Sequence, residues 1–261
     1  MTPEEIVVRA LAIAPIKGTR VRPVERIEID RAGVREDRRF YLIDSRGRMQ
    51  NGKQLGALSE IVATYADAER HLTVAFPDGR VVAGDVRLAG PIETLFFSLA
   101  RPARLIDGPW SAAISDWVGR PLRLVEPDEG SSVDRGLRGA VSLVSRGSLA
   151  RLAEAARIGQ VDARRFRMLI EIDGVRAHEE DRWVGDTLRV GAVRIAVEGH
   201  VGRCLVTSRD PDSGEIDLPT LDIIGRYRGD TAATAPLPFG IHGSVLEPGS
   251  VAVGDRLVLD G

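Results

Sequence analysis

Cysteine is almost absent from this chain, which has one, Cys204, in 261 residues. With a single thiol the chain can form no internal disulfide, no cysteine-rich zinc site and no four-thiolate iron–sulfur cluster. Histidine is also rare. The four histidines lie far apart in the sequence, without the spacing of zinc ligands, so we expect surface or loop positions for His71, His178, His200 and His242.

Long apolar runs and a basic surplus are missing as well. No apolar run approaches the roughly 20 residues that a membrane-spanning helix needs. The first five residues include two glutamates, where a secretory signal carries basic residues. The formal net charge is −2, whereas general nucleic-acid binders usually have a strong basic surplus. These absences predict a cytoplasmic protein that binds neither membranes nor nucleic acid.

Several common catalytic motifs are not found in the sequence. There is no dinucleotide-binding GxGxxG, no phosphate loop ending in GK[ST], no HExxH and no GxSxG nucleophile elbow. Functions that depend on a nucleotide-binding fold or a serine nucleophile elbow are therefore not predicted.

Short apolar segments separated by turn residues predict a mainly β fold with some α. The predicted strands are 7–13, 24–29, 40–43, 61–66, 72–76, 166–172, 187–190, 193–197 and 250–259. Helical spacing predicts helices over 110–119, 148–158 and 218–227, with Ser148 capping the start of the second and Gly159 its end. Between 91 and 121 the strand pattern loosens. A boundary placed near 110 gives two β-barrel-like domains, 1–110 and 111–261.

The single cysteine has an unusual sequence context. Cys204 follows a strand-like run and stands directly after Gly202 and Arg203, at the start of an arginine-bearing turn. The thiolate form of cysteine binds soft metals and attacks electrophiles, so this placement predicts a metal ligand or a nucleophile. A buried cysteine that packs as a small apolar residue is the alternative, and the local sequence leaves it open.

Three cationic clusters stand next to predicted strands, at 17–20, 37–39 and 164–167. Basic side chains at strand ends can converge on one anion, and arginine forks suit phosphate and oxygen-rich heterocycles. Of the 36 basic residues only Lys17 and Lys53 are lysine, which leaves 36 − 2 = 34 arginines. In such a chain a lysine marks a position that favours a compact ammonium. An ordinary solvated rim is the alternative for each cluster.

In order and spacing, these segments resemble the MOSC family, named for the molybdenum cofactor sulfurase C-terminal domain. APIKG at 14–18 and DRRFYLID at 37–44 are similar to the β-barrel that precedes many MOSC domains. The second half resembles the MOSC domain itself, a barrel with peripheral helices. Its matching segments are SRGSL at 145–149, RFR at 165–167, EDRW at 180–183, RCLVTSRDPDSGE at 203–215 and PFG at 238–240.

The resemblance implies a molybdenum cofactor, Mo-molybdopterin, as the bound group. It implies that Cys204 is the protein ligand of the metal and the catalytic residue, in line with the preference of soft metals for sulfur. Cofactor binding is implied for Lys17, Gly18, Arg38, Ser145, Ser148, Arg165, Arg167 and Arg203. Pyridoxal phosphate binding is a further family-level term. The site is expected between the two domains.

One departure from the family pattern concerns the segment after Arg167. The family has Pro-Asn where this chain has Met168 and Leu169, so an amide that can bond the pterin is replaced by an apolar side chain. A different pterin contact, or loss of the cofactor, follows as the expectation at this position.

The function implied by the resemblance is that of a molybdenum-dependent oxidoreductase. It would reduce N-oxygenated (N-hydroxylated) small molecules with electrons from a separate iron–sulfur, flavin or haem protein. Two alternatives stay open: a sulfur or cofactor carrier that uses a Cys204 persulfide, and a non-catalytic binding module that keeps the MOSC fold.

Overall fold

The computed structural model of the protein describes residues 5–129 and 136–260. Its strands are β1 (Val7–Ile13), β2 (Arg22–Val24), β3 (Arg26–Asp30), β4 (Gly33–Val34), β5 (Tyr41–Ile43), β6 (Met49–Gln50), β7 (Val62–Ala66), β8 (His71–Ala75), β9 (Val81–Asp85), β10 (Arg87–Phe96), β11 (Leu99–Asp107), β12 (Arg123–Pro127), β13 (Val141–Ser145), β14 (Ile170–Asp173), β15 (Thr187–Val190), β16 (Val193–Gly202), β17 (Pro238–Glu247), β18 (Gly249–Ala252) and β19 (Leu257–Asp260). The helices are α1 (Trp110–Val118), α2 (Arg146–Ala156) and α3 (Thr220–Arg228). The predicted mainly β fold is confirmed.

Strands from the two halves of the sequence share sheets. The largest sheet has the order β19-β15-β16-β17-β13-β14-β1-β2, in which β1 pairs antiparallel with β14. In a second sheet, β10-β11-β12-β5-β6, strand β12 lies beyond the predicted boundary yet pairs with β5. Each sheet in the described part of the chain has two end strands, so none closes fully. The two halves are therefore joined along strand edges, and the boundary near 110 stays a prediction.

The longest hairpin lies where the sequence pattern loosens. Strands β10 and β11 pair from Arg87↔Asp107 to Phe96↔Leu99, and most of their side chains are exposed. Because both faces of the hairpin meet solvent over much of its length, its residues do not show the apolar alternation that marks a half-buried strand. The sequence pattern therefore did not predict these two strands.

Two local predictions are corrected at the turns that flank the site. Helix α2 is capped by Ser145, whose hydroxyl accepts from the Ser148 N–H, and it ends at Arg157 in a left-handed conformation. The expected caps, Ser148 and Gly159, are therefore wrong. The predicted strand over 166–172 begins only at Ile170, because 163–166 forms a 3-10 turn that ends at left-handed Arg167.

The core has separate apolar clusters, and one of them backs the site. It joins α2 and α3 to Phe166 and Phe239, whose rings stack with centroids 4.4 Å apart. This packing fixes the turn that carries Arg167. Across 5–129 and 136–260, the helices are all too short or too polar to span a membrane.

Candidate functional site

A cavity of about 310 Å³ opens between segments from both halves of the chain. From the first half it is lined by Lys17, Gly18, Asp37, Arg38, Asn51, Gly52, Lys53 and Phe97. From the second half it is lined by Gly139, Ala140, Ser142, Arg165, Phe166, Arg167, Met168, Leu169, Val201, Gly202, Arg203, Cys204, Val206, Thr207 and His242. The sequence predicts a site between the two halves, and this cavity is the candidate for it.

Backbone hydrogen bonds place Lys17 and Arg38 side by side on one wall. The Lys17 N–H donates to the Phe40 carbonyl and the Arg38 N–H to the Ala14 carbonyl, both at 2.8 Å. The Asp37 carboxylate accepts from the Ala14 N–H at 2.8 Å and from the Arg38 guanidinium. The end of β1 and the segment before β5 are thus held together, so two distant basic residues reach the same cavity.

Gly18 allows a second segment of the first half to approach this wall. Its φ is +101°, a conformation that side chains rarely adopt, and a Cβ here would lie 3.1 Å from the Gly52 nitrogen and 3.3 Å from Asn51 Cα. The segment that packs against Gly18 continues from Asn51 and Gly52 to Lys53. Both lysines of the chain line this cavity, and their preference over arginine at these positions stays a prediction.

The arginines of the second half have different roles. Arg165 holds the Asp217 carboxylate in a two-pronged ion pair and donates to the Arg209 carbonyl, and the Asp217 hydrogen bond raises the Arg165 pKa. Arg203 donates to the carbonyls of Phe166 and Phe239. The Arg165 contacts hold the 163–167 turn against the loop that follows Cys204, and the Arg203 contacts hold the residue before Cys204 against the same turn and Phe239. Arg165 and Arg203 line the cavity, and their predicted cofactor contact stays a prediction.

Cys204 is exposed on the cavity wall, so it does not pack as a small apolar residue. Its carbonyl accepts from both the N–H and the hydroxyl of Thr207 at 3.0 Å, which fixes the short turn Leu205–Ser208 beyond it. The thiol is therefore presented from a hydrogen-bonded turn, which suits a ligand or a nucleophile.

The loop from 204 to 217 is locked against the first half. Arg209 donates to the Gly214 carbonyl at 2.6 Å, and Arg20 donates to the Asp212 carbonyl at 2.8 Å. Gly214 and Gly56 touch backbone to backbone, since a Cβ on Gly214 would lie 2.0 Å from the Gly56 oxygen. This contact joins the loop that carries the thiol to the segment that carries Lys53.

The cavity is cationic. Six basic side chains line it, Lys17, Lys53, Arg38, Arg165, Arg167 and Arg203, and Asp37 is the acidic residue among the described residues of the lining. Arg38 is paired with Asp37 and Arg165 with Asp217, so the lining keeps a net positive charge. Arg38 also donates to the Arg167 carbonyl, which joins the two walls. An anionic group with oxygen-rich edges fits such a lining, and the Cys204 thiol adds a soft donor at its side.

Ser145 and Ser148 do not contribute to this lining. Both are fully buried, and the cavity residues given above do not include them. Their hydroxyls donate to the buried Glu180 carboxylate at 2.9 and 2.7 Å, and burial raises the Glu180 pKa. The expected hydrogen bonds from these two serines to a cofactor are thus corrected to bonds that hold Glu180 and the start of α2.

At the departure from the family pattern the cavity wall is apolar. Met168 and Leu169 are buried, the Met168 sulfur accepts from Arg203 and the Leu169 N–H donates to the Ser142 hydroxyl at 3.1 Å. Among the described residues that line the cavity, Asn51 carries the side-chain amide. The side-chain amide of the described lining therefore belongs to the first half of the chain and not to the segment after Arg167.

The lining includes residues that the sequence reasoning missed. Phe97 lies in the turn of the hairpin that showed no periodic pattern, and Ser142 stands three residues before the motif at 145–149. The histidine prediction also needs correction: His242 lines the cavity, and His200 is 6% exposed. His242 donates through Nδ1 to the Arg138 carbonyl at 2.7 Å, since a carbonyl can only accept.

His178 supplies a test of the structure that is independent of the cavity. Burial, with smaller contributions from Arg228 and Arg151, lowers its pKa from 6.5 to about 3. Between pH 6.5 and about 3, His178 is therefore protonated in the unfolded chain but neutral in the folded chain. Because the unfolded chain binds the extra proton, the free energy of unfolding falls as the pH drops from about 6.5 towards 3.

We expect His178→Asn to make this pH dependence shallower, because asparagine tolerates the left-handed backbone of His178 but does not titrate. Urea unfolding at a series of pH values between 3 and 7 measures the effect. An unchanged slope in His178→Asn would contradict the burial of this ring.

Family models match nearly the whole chain. The MOSC domain matches residues 130–258, and the MOSC N-terminal beta barrel domain matches residues 5–121. Together they account for both walls of the cavity, including Lys17 and Arg38 from the first and Arg167 and Cys204 from the second.

Two similar proteins are both described as mitochondrial amidoxime-reducing components. Mitochondrial amidoxime-reducing component 1 of Xenopus laevis is 26% identical over 95% of this chain and 80% of its own length. Mitochondrial amidoxime reducing component 2 of Homo sapiens is 39% identical over 34% of this chain and 28% of its own length. Among solved structures, the YUAD protein from Bacillus subtilis aligns over 97% of this chain and 93% of its own, with 14% identity and a TM-score of 0.44.

Proposed function

Because the chain belongs to the MOSC family, we propose that it is a molybdenum-cofactor oxidoreductase that reduces N-oxygenated small molecules. The observation that carries the proposal is an exposed thiol, Cys204, on the wall of a cationic cavity built from both halves. The names of the relatives, amidoxime-reducing components, support the substrate class.

The cavity residues fit an anionic metal cofactor. Lys17, Arg38 and Arg167 would neutralise its phosphate or pterin oxygens, and Cys204 would ligate the metal through sulfur. Gly18 would contribute by letting the segment with Asn51 and Gly52 pack against the wall that carries Lys17. The volume of about 310 Å³ lies within the usual range of ligand cavities, about 300–1,000 Å³.

When bound, the molybdenum cofactor would supply the two-electron chemistry that removes oxygen from an N–O group. The chain's own residues would bind the cofactor and orient the substrate. Arg203 and Arg165 keep the thiol loop and the Arg167 turn in register, while Met168 and Leu169 keep one side of the cavity apolar and exclude water. The neighbouring hydrogen bonds that fix Cys204 would hold the ligand sulfur in one position.

The proposal includes the partners and location expected from the sequence. Electrons would come from a separate protein of the iron–sulfur, flavin or haem type, and the reaction would take place in the cytoplasm.

Metal and pterin analysis tests the proposed function directly. Protein produced with ample molybdate should contain molybdenum and pterin in equal amounts and should reduce benzamidoxime to benzamidine with a reduced dye as electron donor. Protein from such a preparation that contains neither molybdenum nor pterin would overturn the proposal. An added sulfur atom on Cys204 in intact-mass analysis, without metal, would instead support the carrier alternative.

A further inference from the structure

One aromatic side chain of the cavity has no role in the proposed function. Phe97 lies at the turn between β10 and β11 and lines the cavity, yet its side chain is 55% exposed. Burying an aromatic side chain is among the larger stabilising contributions that a residue makes. Core packing therefore does not explain why a phenylalanine stands here.

The backbone at Phe97 is strained in the same way as at two cationic residues of the cavity. Its φ is +57°, which is an outlier for a bulky side chain, and Arg38 (φ +49°) and Arg167 (φ +54°) share the left-handed conformation. All three residues line the cavity. At Phe97 the two-residue turn between β10 and β11 requires this conformation, since tight hairpin turns have a positive φ at their first central residue. The turn therefore fixes the position of Phe97 at the cavity.

Contacts beneath the turn fix the Phe97 ring relative to the cationic wall. Phe97 meets Phe96 edge to face, with ring centroids 5.3 Å apart. The buried Phe96 ring in turn lies 5.3 Å from Lys17 Nζ and 4.9 Å from the Arg101 guanidinium carbon. The hairpin tip is therefore anchored beside Lys17, and Phe97 projects from this anchor as an apolar surface.

We infer that Phe97 is a specificity-determining residue, whose ring contacts the flat apolar body of the substrate at the side of the cavity next to Lys17. Aromatic rings favour offset or edge contacts with other rings, so the preferred substrates carry an aromatic group next to the N–O function. The inference rests on the proposed function for the reaction, but the contact itself can be measured by binding alone.

Two probes with the same reacting group separate this contact from the rest of the site. Benzamidoxime and acetamidoxime differ in carrying a phenyl or a methyl group. Calorimetric titration of the purified full chain, as wild type, Phe97→Ala, Phe97→Tyr and Leu99→Ala, gives the ratio of the two dissociation constants. Leu99 is the matched control, since it is 72% exposed at the same turn and is not a cavity residue.

Wild type should bind benzamidoxime more tightly than acetamidoxime. Phe97→Ala should lower this preference about fivefold, equivalent to about 1 kcal/mol, while Phe97→Tyr and Leu99→Ala keep it. In protein that turns over, the same loss should appear in KM for benzamidoxime, with kcat little changed, because the contact is made equally before and during the reaction.

Three results would overturn the inference. The first is equal binding of the two probes by wild type. The second is an equal loss of the preference for benzamidoxime in Phe97→Ala and Leu99→Ala. The third is a Phe97→Ala variant that binds both probes as wild type does but has a weaker apparent affinity for the electron-donor protein. The last would identify the tip as a docking surface. Should Phe97→Ala fail to fold, Phe97→Tyr against Phe97→Leu carries the comparison, and loss of preference in both would count against the ring contact.

Failure of the proposed function gives a different pattern. Absence of molybdenum and pterin from wild type overturns the oxidoreductase proposal and leaves the ratio of probe affinities to decide on Phe97. Conversely, an active molybdenum enzyme without a phenyl preference keeps the proposed function and removes the inference.

Discussion

Under the proposed function, Cys204→Ser protein is expected to lose at least about 100-fold of the activity towards benzamidoxime and most of the bound molybdenum, because a hard hydroxyl replaces the soft sulfur donor. The fold should survive. Cys204 is exposed, and surface substitutions of this kind usually change the free energy of unfolding by no more than about 0.5 kcal/mol. Metal analysis, thermal unfolding and reduction of benzamidoxime on the same preparation separate the two effects.

Cys204→Ala and thiol labelling sharpen the test. Alanine removes the donor atom entirely, so its effect should be at least as large as that of serine. In wild type, a thiol reagent should modify Cys204 in cofactor-free protein and be blocked in loaded protein, since the chain has no other cysteine. A serine variant with full activity and metal content would show that Cys204 does not ligate the metal, and would favour the binding-module alternative.

The second large effect is expected at the contact between the two loops. Gly214→Ala would place a Cβ 2.0 Å from the Gly56 oxygen and 2.3 Å from the Gly56 carbon. Because these are backbone atoms, the loops must separate, which shifts the segment with Lys53 away from the loop with Cys204. A displacement of about 1 Å in residues that position a substrate can lower the rate about 100-fold. Under the proposed function, we therefore expect Gly214→Ala to lower the activity towards benzamidoxime by about that factor.

Gly79→Ala is the matched control for this variant. Gly79 has φ +85°, close to the +73° of Gly214, but a Cβ there meets no atom within 4 Å. Both variants carry the strain of a left-handed alanine, and only Gly214→Ala carries the collision. The difference in their free energies of unfolding from urea titration should be roughly 1–3 kcal/mol. Gly214→Ala protein as active as Gly79→Ala would show that the loop contact does not shape the cavity.

The sequence predicted much of the fold because local signals were strong. Half-buried strands such as β8 alternate buried and partly exposed residues, and helix α3 presents one apolar face, so their periods are visible in the chain. The exposed hairpin β10–β11 has no such signal. The caps of α2 were misplaced because Ser145 and Ser148 are both good capping residues, and only their hydrogen bonds distinguish them.

The cationic set was predictable in a different way. Lys17, Arg38, Arg167 and Cys204 stand in short motifs at strand ends, and their resemblance to one family supplied the expectation that they meet. The cavity brings them together. The same motifs could not tell a ligand-facing arginine from a structural one, since Arg165 and Arg167 are two residues apart and only Arg165 is bound by Asp217.

By itself, then, the amino-acid sequence determined the β-rich fold class and the absence of a disulfide framework, and it singled out basic residues and a thiol that line the cavity. Only the tertiary structure decided that Arg165 and Arg203 brace the loops, that Ser145 and Ser148 hold Glu180, and that Phe97 lines the cavity. The physical reason is sequence distance. Hydrogen-bond partners 32 to 52 residues apart leave no periodic trace in the chain, and an exposed aromatic residue in a tight hairpin turn gives no apolar pattern.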